Sequence, residues 1–224
     1  MKHQRTTAII AAILLAETIA WVVCTSFSMS QVKPSWGDID YLRWVAAPDI
    51  FFLLNYINAT LLTITVPPLF ILLWSAQKED HPLPSAAGLI FIPAYALLNI
   101  ACYSIQIGLV PAIAARSLDS PDMQRWAIQL VQARSDTVVG YLNGLAYGIL
   151  GIPSIIYGCL MIRGTCRVSG FFLLANGIAC IVGIAGYTMN NAILGRGILA
   201  GGLLFLVALV FMIIESMKAG RSAG

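Results

Sequence analysis

Six apolar stretches, each long enough to cross a bilayer, decide what this chain folds into. A span needs about 20 mostly apolar residues, and the pattern places spans near 7–29, 50–74, 87–110, 138–161, 168–190 and 194–216. Lipid offers a backbone no hydrogen-bonding partners, so stretches of this length must be helical. Of the 224 residues, 59% are hydrophobic and 10% charged, against roughly 25% charged in soluble domains. The spans use up the length and leave no room for a soluble domain. The expectation is an all-α bundle of six transmembrane helices, one integral membrane domain over residues 1–224.

Lys2 and Arg5 precede the first apolar run, as in a signal peptide. That run is longer than a typical signal core, carries Glu17, and ends without a convincing small-x-small cleavage site. An uncleaved signal anchor is the better reading. With the N-terminus cytoplasmic, seven basic residues (Lys2, Arg5, Lys78, Arg163, Arg167, Lys218, Arg221) lie inside and six (Lys33, Arg43, Arg116, Arg125, Arg134, Arg196) outside. Seven against six is a weak positive-inside signal, and it puts both termini in the cytoplasm. A net charge of +3 is too small to point to nucleic acid. The five cysteines are scattered without a C-x-x-C pair, which gives no metal or redox argument.

The long gaps, 30–49 and 115–137, fall outside in this topology and resemble each other. Asp40-Tyr41-Leu42-Arg43-Trp44 and Asp122-Met123-Gln124-Arg125-Trp126 both read D-x-x-R-W. Each leads into a span with the same skeleton: Tyr56-Ile57-Asn58 precedes Pro68 and Tyr141-Leu142-Asn143 precedes Pro153, ten residues after the Asn in both. This suggests that spans 2–3 and 4–5 are a duplicated unit, as occurs among transporters; with so few matches, coincidence is the alternative. Both gaps should hold amphipathic helices. In the second, Ser120 would cap the helix, with Pro121 at its first position. Met123, Trp126, Ala127, Leu130 and Val131 recur at helical spacing as an apolar face for the membrane surface, with Arg125 and Arg134 toward headgroups.

Span 4 carries Gly140, Gly144 and Gly148, and span 6 carries Gly197 and Gly201. Small residues let helix backbones approach closely in lipid. Packing within the bundle is favoured over a homodimer through these ridges. Pro68 and Pro153 are expected to kink their spans.

Five spans also carry a polar stripe. Glu17, Trp21, Cys24 and Ser28 recur at helical offsets in span 1, Asn55, Asn58 and Thr65 in span 2, and Tyr95, Asn99, Cys102, Tyr103 and Gln106 in span 3. Span 4 contributes Asn143, Tyr147, Ser154 and Tyr157, and span 5 Asn176, Cys180, Tyr187 and Asn190. Such offsets put each set on one helix face, and polar faces turn away from lipid. The stripes should converge on one polar interior, while span 6, nearly all Leu, Val, Phe and Ile after Gly197, should face lipid. Glu17 is the sharpest residue, near mid-bilayer, where a carboxylate costs roughly 2.5–3.5 kcal/mol on insertion scales. No Lys, Arg or His lies at comparable depth. Such a carboxyl is held neutral by amide or phenol neighbours, bathed in cavity water, or set against a cationic ligand. Glu215, at the end of span 6, reads as an interfacial partner of Lys218.

Both histidines, His3 and His81, lie outside the spans, and no lysine lies within one. That argues against haem ligation, histidine-rich metal sites and a retinal Schiff base, and no metal or cofactor is expected. Gly148-Ile149-Leu150-Gly151, the basic turn Arg163 to Val168, Gly170 to Gly177 and Gly201 to Phe205 make the stretch from Tyr141 to Met212 resemble a type of uncharacterised bacterial six-span protein. The expected location is then a bacterial inner membrane; no activity comes with the resemblance.

The expected function is binding or transport of a small amphiphilic or cationic molecule in a polar cavity. Glu17 would be the counter-charge, Asn58, Asn99, Asn143 and Asn176 would orient polar groups, and Trp21, Tyr95, Tyr103, Tyr147 and Tyr187 would wall it, suited to cation–π contact. The partners would be membrane lipid and this ligand. Two alternatives stay open: a membrane-embedded enzyme on a lipid or isoprenoid with Glu17 as general acid, and an accessory protein whose polar stripes only specify packing.

Overall fold

The structure, a computed structural model, describes the backbone of residues 4–221 and the side chains of residues 4–218. Lys2, His3 and the side chain of Arg221, which entered the charge and histidine arguments, lie outside these. The described residues contain helices and turns and no strand. The six-span, all-α expectation holds. The long helices are α1 (Gln4–Met29), α3 (Ile50–Gln77), α4 (Pro82–Gly108), α7 (Val138–Ile162), α8 (Arg167–Thr188) and α10 (Gly197–Arg221). Six helical segments are long and apolar enough to cross a membrane, so the chain is a multi-pass membrane protein. Between the spans lie α2 (Asp38–Ala46), α5 (Val110–Ser117), α6 (Pro121–Ala127), a 3-10 turn (Ile128–Leu130) and the one-turn α9 (Ala192–Gly195).

Local chemistry sets these boundaries. Pro82 opens α4 and Pro121 opens α6, positions where a missing N–H costs nothing. Inside the spans α3 runs on through Pro67 and Pro68, and α7 through Pro153. Asn190, with φ of 51°, turns the chain out of α8 in the left-handed region that Asn tolerates. The side-chain oxygen of Asn191 then accepts from the N–H groups of Ile193 and Leu194 at 3.0 and 3.2 Å, capping α9.

The chain divides into two compact units. The first comprises Met1–Ala16, Ile64–Ala96 and Gly144–Gly224. Its spine is α8, a helix of small residues with neighbours at backbone distance. A methyl group added at Gly177 would lie 2.5 Å from the carbonyl oxygen of Gly151 on α7, and one at Gly197 2.5 Å from that of Ala179 on α8. Gly144 and Gly148 meet Tyr187 and Ile184 of α8. All five ridge glycines thus meet atoms of the same chain, Gly201 the Cys180 sulfur of α8 and Gly140 the Arg134 carbonyl. On α10, Gly201, Phe205, Ala208, Leu209, Met212 and Ser216 are buried while Leu199, Leu203 and Ile214 are exposed. One stripe of α10 therefore packs, and only the remainder is free for lipid.

The second unit comprises Glu17–Thr63 and Leu97–Asn143. Here α2 packs against α5 and α6. Its core includes Leu42, Trp44, Val45, Phe52, Tyr56, Tyr103, Ile128 and Val131. Gln106, fully buried on α4, ties the segment after the 3-10 turn to the span. Its amide donates to the Leu130 carbonyl at 2.7 Å and its oxygen accepts from the Gln132 N–H at 3.2 Å. Arg134 grips Asp136 with two nitrogens, at 2.9 and 2.5 Å, bridges to Asp38 of α2, and lies over the Tyr41 ring. Arg134 is thus committed to protein partners, unlike the headgroup role expected for it.

The apolar face expected in the second gap needs correction. The α-helix stops at Ala127 and a 3-10 turn follows. The tighter winding changes which residues share a face. Ala127, Ile128 and Val131 are buried, whereas Trp126 is 79% exposed and Met123 43%. Ser120 stands at the N-cap without a side-chain bond. The matched tryptophans of the two D-x-x-R-W segments also differ, since Trp44 is only 9% exposed.

Candidate functional site

The expected site residues fall in both units. Glu17, Trp21, Asn58, Asn99, Tyr103 and Asn143 belong to the second, and Tyr95, Tyr147, Asn176 and Tyr187 to the first.

In the second unit, α1 and α3 are joined by amides. Asn55 and Asn58, three apart, share a face of α3. The Thr25 hydroxyl donates to the Asn55 oxygen at 2.6 Å, and the Asn58 amide donates to the backbone carbonyl of Glu17 at 2.6 Å. Glu17 is the fourteenth of the 26 residues of α1, half-buried, and about 20 Å from the helix start at 1.5 Å per residue. Trp21, one turn further on the same face, packs against the unit's core.

On α4 and α7 the polar groups form one cluster. The amide nitrogen of Asn143 donates to the side-chain oxygen of Asn99 at 2.8 Å and to the Tyr103 hydroxyl at 3.1 Å. Asn99 is fully buried, and its own amide nitrogen has no hydrogen-bond partner. Leaving such a donor unmet costs roughly 1–3 kcal/mol. The Tyr103 ring lies 6.1 Å from that of Tyr56, and contacts continue through Phe52 to Trp44 on α2 at 4.8 and 5.3 Å. Aromatic contacts therefore link α2 to the amide cluster.

In the first unit the polar stripes serve packing. Asn176, buried on α8, donates to the Gly201 carbonyl of α10 at 2.9 Å and to the Cys180 sulfur at 3.6 Å. Tyr187 covers the glycine surfaces of Gly144 and Gly195. Tyr95 and Tyr147 pair with ring centroids 6.2 Å apart. Tyr157, fully buried, donates to the Ser85 carbonyl at 2.6 Å.

Sequence reasoning missed the capping role of Glu215. Its two oxygens accept from the backbone N–H groups of Val168 and Ser169 at 3.0 and 3.2 Å, and from the Ser169 hydroxyl at 2.5 Å. It caps the N-terminus of α8 from a distant part of the chain, where a negative group complements the helix dipole. The available signal was that α8 begins after Cys166, which supplies no side-chain cap. Among the described residues no cluster of His, Cys, Asp or Glu is arranged to hold a metal.

Comparison with protein-family models, curated proteins and solved structures finds no match to this chain. The site must therefore be read from its chemistry alone.

Proposed function

We propose that this membrane protein binds, and through binding carries, a small amphiphilic cation in its second unit. Glu17 supplies the counter-charge, Trp21 and Tyr103 the aromatic contacts, and Asn58, Asn99 and Asn143 the orienting amides. The observation that carries this reading is the half-buried carboxyl midway along an apolar span. At about 2.5–3.5 kcal/mol, its insertion cost exceeds the return of one interhelical hydrogen bond, on average about 0.6 kcal/mol. The unmet Asn99 donor within the same unit supports it, since a ligand oxygen would satisfy that group. A scaffold reading is favoured by the first unit, where Asn176 and Tyr157 bond to backbone carbonyls.

One experiment separates the two. Purified protein in detergent is titrated with tetraphenylphosphonium, an aromatic lipophilic cation, and thermal unfolding is followed. Binding at 100 times Kd stabilises by about 2.7 kcal/mol. Wild-type protein should show this saturable gain. Glu17→Gln should lose at least tenfold in affinity while its ligand-free melting temperature stays near wild type. Equal affinity in Glu17→Gln, or no saturable gain in the wild type, returns the protein to the scaffold reading.

A further inference from the structure

The first unit holds a groove that the Glu17 reading does not use. It lies between the start of α1 and the end of α10, has a volume of about 450 Å³, and is lined by Arg5, Ala8, Ile9 and Ala12 on one side and Ile213, Ser216 and Met217 on the other. Its walls are open to the surroundings: Ile9 is 51% exposed and Met217 52%. From Arg5 to Ala12 it runs about 10 Å along the helix, at 1.5 Å per residue. Arg5 stands near the start of a span, and beyond it the lining is apolar apart from Ser216.

Charge points to the occupant. A cation in the first turn of a helix sits at the positive end of the dipole, where an anion is favoured instead, and the first turn of α1 contains no carboxylate. An anion beside Arg5 meets both the guanidinium and the helix terminus. Basic pockets between span ends are recurrent sites for anionic lipid headgroups. We propose that this groove binds one anionic phospholipid, its phosphate on the Arg5 guanidinium and its first acyl segment between Ile9 and Met217. Guanidinium matches phosphate with two parallel hydrogen bonds, which an ammonium does not.

The test uses full-length protein, delipidated in detergent and incubated with phosphatidylglycerol or with phosphatidylcholine of the same acyl chains. Retained lipid is counted by native mass spectrometry. Wild-type protein should keep one phosphatidylglycerol in preference to phosphatidylcholine. Arg5→Gln should reduce that preference about fivefold, the equivalent of the roughly 1 kcal/mol that one basic residue contributes at an anionic surface. Ala12→Phe, which fills the groove and leaves Arg5 in place, should lower retention of both lipids. Equal retention of the two lipids by the wild type identifies ordinary annular lipid and overturns the proposal. So does an Arg5→Gln protein that folds, by circular dichroism, and keeps the wild-type preference. Inorganic phosphate at the same concentration should not displace the lipid; if it does, the groove takes a phosphate and not a phospholipid.

Discussion

The crossing of α7 and α8 makes a prediction that depends on tenths of an ångström. A methyl group at Gly177 would stand 2.5 Å from the Gly151 carbonyl oxygen and 2.8 Å from the Ile155 nitrogen. Both neighbours are backbone, so no rotamer change relieves them. Ordinary contact begins near 3.4 Å, a shortfall of about 0.9 Å. Forcing extra volume into such a seam costs about 1–3 kcal/mol, and a gap of 0.5–1 Å forfeits a quarter to a half of each flanking dispersion contact. Replacing helical Gly by Ala returns about 0.5–1 kcal/mol through the backbone. Gly177→Ala should therefore be destabilised by a net 0.5–2 kcal/mol or so. Gly202, on α10, has no heavy atom within 4 Å of the added methyl, and Gly202→Ala should be neutral or more stable. The assay is unfolding in mixed micelles of increasing dodecyl sulfate, followed by far-ultraviolet circular dichroism. The double variant Gly151→Ala/Gly177→Ala should cost less than the sum of its singles, since one separation of the helices relieves both clashes. Equal stability of Gly177→Ala and Gly202→Ala would refute the reasoning.

Two further outcomes follow from charged groups outside the apolar interior. Glu215→Ala removes the cap of α8 and should cost about 1–2 kcal/mol on the N-cap scale, with faster amide exchange at Val168 and Ser169; unchanged exchange there would contradict the capping role. Asp136 is held below its ordinary value of 3.8, chiefly by its hydrogen bonds to Arg134. A carboxylate depressed in the folded state stabilises fully above its unfolded value and loses that contribution as pH falls through the folded one. Thermal stability should therefore fall on the acid side through loss of this pair. Arg134→Met should flatten that limb while lowering stability little near neutrality, since both aspartates are mostly exposed. An acid limb of wild-type slope in Arg134→Met would assign the pH dependence to other groups.

The spans were legible because length and hydropathy suffice to define them, and the inward face of α4 because helical offsets do; Asn190, assigned to the stripe of span 5, instead lies exposed beyond the end of α8. Tyr95, Asn99, Cys102, Tyr103 and Gln106, grouped on one face of α4 by spacing alone, are all buried. Spacing does not fix the register between helices, and register chooses the partners. Asn58 and Asn143 follow the same Tyr-x-Asn pattern, yet one bonds a backbone carbonyl of α1 and the other a side-chain pair on α4. Tyr56 and Tyr141 of the same pattern are 5% and 36% exposed. The segment between α4 and α7 was misread for a local reason. A face projected through 131 presumes uninterrupted α geometry, and the 3-10 turn at Ile128 ends it. The capping role of Glu215 was missed because its partners at the start of α8 lie 46 and 47 residues away along the chain.

Energetics then weighs the cost of each buried polar group against what its contacts return. Interhelical hydrogen bonds in membranes return on average about 0.6 kcal/mol and at most about 1.7. Asn176 gains two contacts and joins α8 to α10, and Asn143 gains two and joins α7 to α4. Both amides join helices, and the Asn176 oxygen stays buried without a hydrogen-bond partner. A mid-span carboxyl costs more than a single bond of that kind returns, and the bond that Asn58 makes at this position goes to the main chain of Glu17. Any residue able to accept that bond would serve the packing equally well, since every residue has the carbonyl. The identity of residue 17 therefore has to be explained by what its side chain does. That is why the functional assignment rests on Glu17, while the amides take the role of orienting groups.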